Sequence, residues 1–201
     1  MDIWAFFAFV ASLKATPRSG WNIQFPPGSP FQSRHVPESE SVGDHSYGLI
    51  TLAMLLADQL GVDRLKFMVM AVFHDLGESV PPGDVVVYHV PPEEQARLRA
   101  EKGVREDAAI EAICHTLGTE GAQYLAVWKE YHAQTSQEAR LIKELDLLEV
   151  AHQAVRYFMQ GHVLNPHDFF DNVRVGISHP VIRELFVRLE EEVRIEEVRR
   201  K

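Results

Sequence analysis

Residues 135–160, TSQEARLIKELDLLEVAHQAVRYFMQ, carry the helical period more plainly than any other stretch of this chain. Leu141, Leu145, Leu148, His152, Val155 and Met159 recur at four-three spacing, which puts them on one face of an α-helix. Thr135 and Glu138 stand at capping-box separation and predict a helix from Ser136 to Gln160. Ile142, Asp146 and Val150 lie one turn apart beside that seam, so Asp146 is expected to face inward among apolar neighbours. A carboxylate in such a place costs several kcal/mol unless it is paired or binds a cation.

The same period recurs outward from this stretch, and no strict polar/apolar alternation between hairpin turns competes with it. The expected fold class is therefore all-α, a helical bundle. The 201 residues, 46% hydrophobic and 24% charged, fit a single domain over 1–201. Helices are expected over about 3–14, 44–59 (Leu49, Leu52, Leu56 and Leu60 inward), and from Asp63 to a left-handed stop at Gly77. Others should run from Pro91-Pro92 to His115, from Gly121 to Ala133, and from Val181 to the end. Pro26, Pro27, Pro30 and Pro37 make residues 22–40 a loop, long enough to be suspected of function.

Composition excludes several function classes. The single Cys114 rules out a disulfide framework and a cysteine-rich zinc site, so any metal is left to His, Asp and Glu, and a cytoplasmic setting is expected. Residues 1–10 are apolar but lack a basic leader, and Lys14 and Arg18 come too soon for a membrane span; a buried first helix is expected, with no membrane partner. A net charge of −9 gives no basic footprint for polymeric nucleic acid, and an anionic small molecule would need local positive charge.

Two motifs carry chemistry. Ser41-Val42-Gly43-Asp44-His45-Ser46 puts His45 one turn before Leu49 on the inward side, and Phe73-His74-Asp75-Leu76-Gly77-Glu78 puts a His-Asp pair at a helix end. With Asp146 they offer imidazole and carboxylate donors and no thiolate, a set suited to Mn, Fe, Co, Ni, Zn or Mg. Singly, each residue reads as a partnered core polar group. A His-Asp dipeptide alone says little, since ten histidines give about half a match by chance. A second copy, His167-Asp168, follows Pro166 in a stretch expected to be irregular and is read as a coincidence.

The order of these motifs resembles the HD-domain phosphohydrolase superfamily, H…HD…D, and more narrowly its 5'-deoxynucleotidase group. The likeness extends over Arg18-Ser19-Gly20-Trp21, the two histidine motifs, Gly83-Asp84, Trp128-Lys129-Glu130-Tyr131, Glu138-Ala139-Arg140 and Lys143-Glu144-Leu145-Asp146. It implies one divalent ion on His45, His74, Asp75 and Asp146, activating water for attack on phosphorus. It further implies Glu78 and Asp84 as catalytic carboxylates, Arg18 as a phosphate fork and Trp21 packed on a sugar. The implied substrate is a nucleoside 5'-monophosphate, deoxyribonucleotides leading, and the implied assembly a homodimer. Should a second metal bind, His115 is the first extra histidine to consider.

Two features depart from the family pattern: the loop over 22–39 is longer, and the turn from Glu78 to Asp84 has one more residue. Two other readings stay open. One is an HD phosphohydrolase acting on a nucleoside triphosphate, a cyclic nucleotide or a non-nucleotide ester. The other is a non-catalytic module clamped by its ion, which would have no chemical need for Glu78.

Overall fold

The computed structural model describes residues 1–25, 27, 32–87 and 90–201; Pro26, Pro30 and His89 are among those outside the described residues, as is the side chain of Pro92. Among the described residues the chain forms α1 (Ile3–Leu13), α2 (Val42–Leu60), α3 (Arg64–Phe73), α4 (Pro92–Thr116), α5 (Gly121–Ala133), α6 (Gln137–Met159), α7 (His167–Gly176) and α8 (Pro180–Arg199). The architecture is all-α, apart from a short antiparallel ladder of β1 (Asn22–Ile23) on β2 (Arg34–His35) within the long loop.

Helix α6 is the hub. Its Leu141, Ile142, Leu145 and Leu148 face Leu49 and Ala53 of α2, Phe67 and Met70 of α3, Phe170 of α7, and Ile182 and Phe186 of α8. Phe67 and Ile142 are fully buried, and burial of this kind contributes about 1.5–3 kcal/mol per side chain. A second cluster joins Leu13, Phe73, Ile110, Ile113 and Trp128 from α1, α3, α4 and α5. The third seats Trp21 and Val36 of the loop on Ala154 and Tyr157 of α6.

Local chemistry sets the helix ends. Ser41 and Asp44 form a reciprocal capping box that starts α2, and Gly61, with φ 69°, ends it in the left-handed conformation. Asp63 caps α3 by accepting the Lys66 amide at 2.8 Å, as its position predicts.

Four expectations need correction. The first helix is not buried: α1 buries only Leu13 and leaves Ile3, Trp4 and Phe7 exposed. Helix α6 is capped by Ser136, whose hydroxyl accepts the Ala139 amide at 3.1 Å, so Thr135 and Glu138 do not form the box. Gly77 is no left-handed stop: α3 passes through His74 into a tight 3-10 turn over Leu76–Ser79. A Cβ there would sit 3.4 Å from Glu106 of α4, at ordinary contact distance, so neither a positive φ nor crowding requires glycine at this position. Finally, residues 167–176 form α7 instead of irregular chain, with Pro166 just ahead of its first turn, where a proline costs no hydrogen bond.

Candidate metal centre

Three helix segments converge at one point. His45 lies in the first turns of α2, His74 and Asp75 directly follow α3, and Asp146 sits mid-way along α6. His45 is fully buried and the Asp146 side chain 13% exposed. The ligand-type atoms of His45, His74 and Asp146 all lie within 4.8 Å of one another. His45 Nε2 is 3.2 Å from His74 Nε2 and 3.3 Å from Asp146 Oδ1. Asp75 Oδ2 closes the group, 3.1 Å from His74 Nε2 and 3.8 Å from His45 Nε2.

The far side of each ring fixes what the near side offers. His74 Nδ1 donates to the Ala71 carbonyl at 2.7 Å, so its Nε2 is the atom with a lone pair. His45 Nδ1 lies 2.5 Å from Glu149 Oε2, which commits that nitrogen to the carboxylate and turns Nε2 toward Asp146. Two imidazole Nε2 atoms this close need a hydrogen or a metal cation between them, since two lone pairs would otherwise oppose each other. Burial and the Arg18 guanidinium oppose charging His45, but its bonds to Asp146 and Glu149 prevail and raise its pKa to about 10. The donor set fits a divalent ion that competes with that proton.

Each carboxylate also has a cation partner. Arg18 Nη1 reaches Asp75 Oδ2 at 3.2 Å, and Lys143 Nζ reaches Asp146 Oδ2 at 2.7 Å. Against burial, His74 and Arg18 hold the Asp75 carboxyl well below the usual range, as Lys143 and His45 do for Asp146. Glu78 is 4% exposed in the 3-10 turn. Its Oε1 accepts from Lys102 at 2.8 Å, and its Oε2 finds no hydrogen-bond partner among the described residues. Burial, then the charge on Asp75, pushes its pKa up to about 8 against the pull of Lys102. Glu78 is thus a carboxyl poised to take or give a proton near neutrality.

Arg18 is held at the rim by its amide, which donates to the Glu40 carbonyl at 3.1 Å beside the α2 cap. Asp84 accepts from the Ser19 amide at 2.9 Å and the Ser19 hydroxyl at 3.0 Å, tying its turn to the Arg18–Trp21 segment. Trp21 is 2% exposed, packed against Tyr157 and Phe169 at 5.1 Å each, and its indole donates to Glu40 at 3.0 Å. These contacts anchor the loop, and Trp21 still lines the cleft above the cluster. That cleft, about 580 Å³, also has Arg18, Asp75, Glu78, Asp84 and Asp146 on its wall.

Several residues that sequence reasoning passed over belong here. Lys102, Lys143 and Arg99 bring positive charge to the cleft of an acidic chain. The second His-Asp pair is no ligand pair: His167 bonds Glu197 on the surface, while Asp168 accepts the Gln32 amide and pins the loop beside Arg34. Glu149 is one turn past Asp146, a spacing that could have singled it out. His115 is exposed, and no group of metal-ligating side chains among the described residues includes it.

The fold and this cluster define a class. Residues 10–189 match the family model described as HD domain, and the chain belongs to that family. Among its relatives, the 5'-deoxynucleotidase HDDC2 of Mus musculus is 32% identical over 190 residues, covering 93% of this chain and 86% of that protein. The Dictyostelium discoideum 5'-deoxynucleotidase HDDC2 is 32% identical over 197 residues, 92% and 95% of the two chains. A solved structure of a conserved hypothetical protein from Pyrococcus furiosus superposes with a TM-score of 0.66 at 28% identity, covering 94% of this chain and 98% of that one.

Proposed function

We propose that this chain is a metal-dependent phosphomonoesterase that hydrolyses nucleoside 5'-monophosphates, with deoxyribonucleotides preferred, to nucleoside and phosphate. The observation that carries the reading is the meeting of His45, His74, Asp75 and Asp146 beneath a cleft whose wall carries Asp75, Asp146, Glu78 and Arg18. The relatives' names point to the same substrates. A cleft of about 580 Å³ lies within the range of small-ligand pockets.

His45, His74, Asp75 and Asp146 would hold one divalent ion; when bound, it supplies positive charge to the phosphoryl group and acidity to water. The side chains do the rest. Arg18 keeps donors beyond its bond to Asp75 and grips the phosphoryl oxygens in a fork. Glu78 takes the proton of the attacking water on Oε2, which has no partner among the described residues, then returns it to the departing 5'-oxygen. Lys102 keeps that carboxyl near neutrality in its pKa. Asp84, fixed by Ser19, and Trp21, fixed by Glu40, shape the wall where the sugar lies.

The whole chain acts as one domain in this reading, as a homodimer in the cytoplasm. No helix among the described residues is long and apolar enough to cross a membrane. The test is phosphate release from a panel of ribo- and deoxyribonucleoside monophosphates with Mn, Co, Mg, Zn, Fe or Ni. Release from deoxyribonucleotides above the others is expected. No release from any mononucleotide, with metal bound, removes the substrate assignment.

A further inference from the structure

We propose that Glu149 is a positioning residue of the metal centre, setting the orientation and tautomer of His45, and that Gly48 is the residue that makes room for it. The inference rests on the metal reading above and extends it to side chains outside the ligand set.

Helix geometry makes the arrangement. Asp146 and Glu149 are three residues apart on α6, and so share one face a turn apart. That face meets His45 from both sides. Asp146 Oδ1 lies 3.3 Å from Nε2, and Glu149 Oε2 lies 2.5 Å from Nδ1. Two carboxylates on successive turns of one helix thus hold both nitrogens of one buried ring on another helix. With Nδ1 committed to Glu149, the ring can neither flip nor present the wrong nitrogen to a cation. A carboxylate on the far nitrogen also raises the basicity of the ligating one.

Glu149 is itself confined. It is 7% exposed, and Gly48, three residues after His45, lies against its carboxylate. A Cβ on Gly48 would come 2.6 Å from Glu149 Oε1 and 3.2 Å from its Cδ. Gly48 is within α2 and has no positive φ, so backbone strain does not call for glycine there. What calls for it is the carboxylate packed on that face. Glu40 adjoins it, since one carboxylate oxygen of Glu40, one of Glu149 and a ring nitrogen of His45 lie within 4.8 Å of one another. Glu40 in turn accepts the Trp21 indole N–H, which links the loop carrying Arg18 to the back of His45.

The test is Co(II) affinity, read by competition with a chelating dye, for the wild type and for Glu149→Ala, Glu149→Gln and Gly48→Ala. Circular dichroism monitors folding, and the Co(II) absorption spectrum reports the ligand field. Glu149→Ala is expected to weaken Co(II) about 10- to 100-fold. Glu149→Gln should weaken it less, because its amide oxygen still accepts from Nδ1. Gly48→Ala keeps every charge and improves helix propensity, yet should also weaken Co(II) and alter the spectrum by displacing the carboxylate. A purely structural glutamate would lower the melting temperature and leave the affinity of folded protein alone. Folded Glu149→Gln and Gly48→Ala proteins that both bind Co(II) within twofold of the wild type, with its spectrum, overturn the proposal even if Glu149→Ala fails to fold. A wild type that binds no Co(II) instead overturns the metal reading itself, and this inference with it.

Discussion

Replacing Glu78 by Gln isolates the proton-transfer role from everything else that residue touches. The side chain is 4% exposed, Oε1 accepts from Lys102 at 2.8 Å, and Oε2 has no partner among the described residues. Glutamine has the same shape, and its amide oxygen can still accept from Lys102, whose ammonium keeps Glu106 at 3.4 Å and Asp84 at 4.0 Å. The variant should therefore fold with a stability within about 1 kcal/mol of the wild type, because Lys102 keeps an acceptor on residue 78 and its contacts with Glu106 and Asp84. The amide cannot shuttle a proton. General acid–base catalysis contributes roughly a hundredfold to ten-thousandfold, so kcat should fall by that factor, about 2.7 to 5.4 kcal/mol of barrier at about 1.36 kcal/mol per decade. The assay is steady-state phosphate release with bound metal measured on the same samples. In the wild type, kcat/KM should rise through a limb set by the Glu78 carboxyl, whose metal-free pKa is about 8; the variant should lose that limb. A variant that retains its metal and turns over within threefold of the wild type would refute the role assigned to Glu78.

Three further outcomes are expected. Metal-free protein should melt at a lower temperature as pH rises from 6 to 9. His45, a base raised from 6.5 to about 10, gives stability that is full below 6.5 and lost toward 10; the raised Glu78 and Glu40 carboxyls lose theirs as pH climbs from 4.5 through about 8 and 7. A melting temperature that rises over this range contradicts those assignments, because Asp75 and Asp146 titrate below it. Arg18→Lys keeps the charge but loses the fork, so KM for a mononucleotide should rise about tenfold with a smaller change in kcat; an unchanged KM removes Arg18 from phosphate binding. Phe186→Ala, in the core and edge-on to Phe170 at 5.2 Å, should destabilise by about 3–5 kcal/mol in urea and leave kcat of the folded protein unaltered.

Periodicity made the long helices legible, because α2, α3, α6 and α8 each put apolar residues on one stripe, and it turned His45 and Asp146 inward for the same reason. It could not say which inward residue meets which. Glu149 is 104 positions from its partner His45, and Lys102 is 24 from Glu78, so both contacts follow from the packing of separate helices. Helix α7 escaped notice because it spans only ten residues behind a proline, too short for the period to outweigh a breaker. Gly77 misled because glycine favours left-handed turns without being confined to them, and here its φ is not positive. Trp21 is similar, since an indole that anchors a loop and one that borders a cleft look alike in sequence, and here the same ring does both.

The most direct test of the central claim is anomalous X-ray diffraction from a crystal soaked in a manganese salt, recorded at the metal's absorption edge. One strong peak within coordinating distance of His45 Nε2, His74 Nε2 and carboxylate oxygens of Asp75 and Asp146 is the expected result. A metal-saturated crystal with its peak elsewhere, or with Asp146 turned out of reach of the ion, would contradict it.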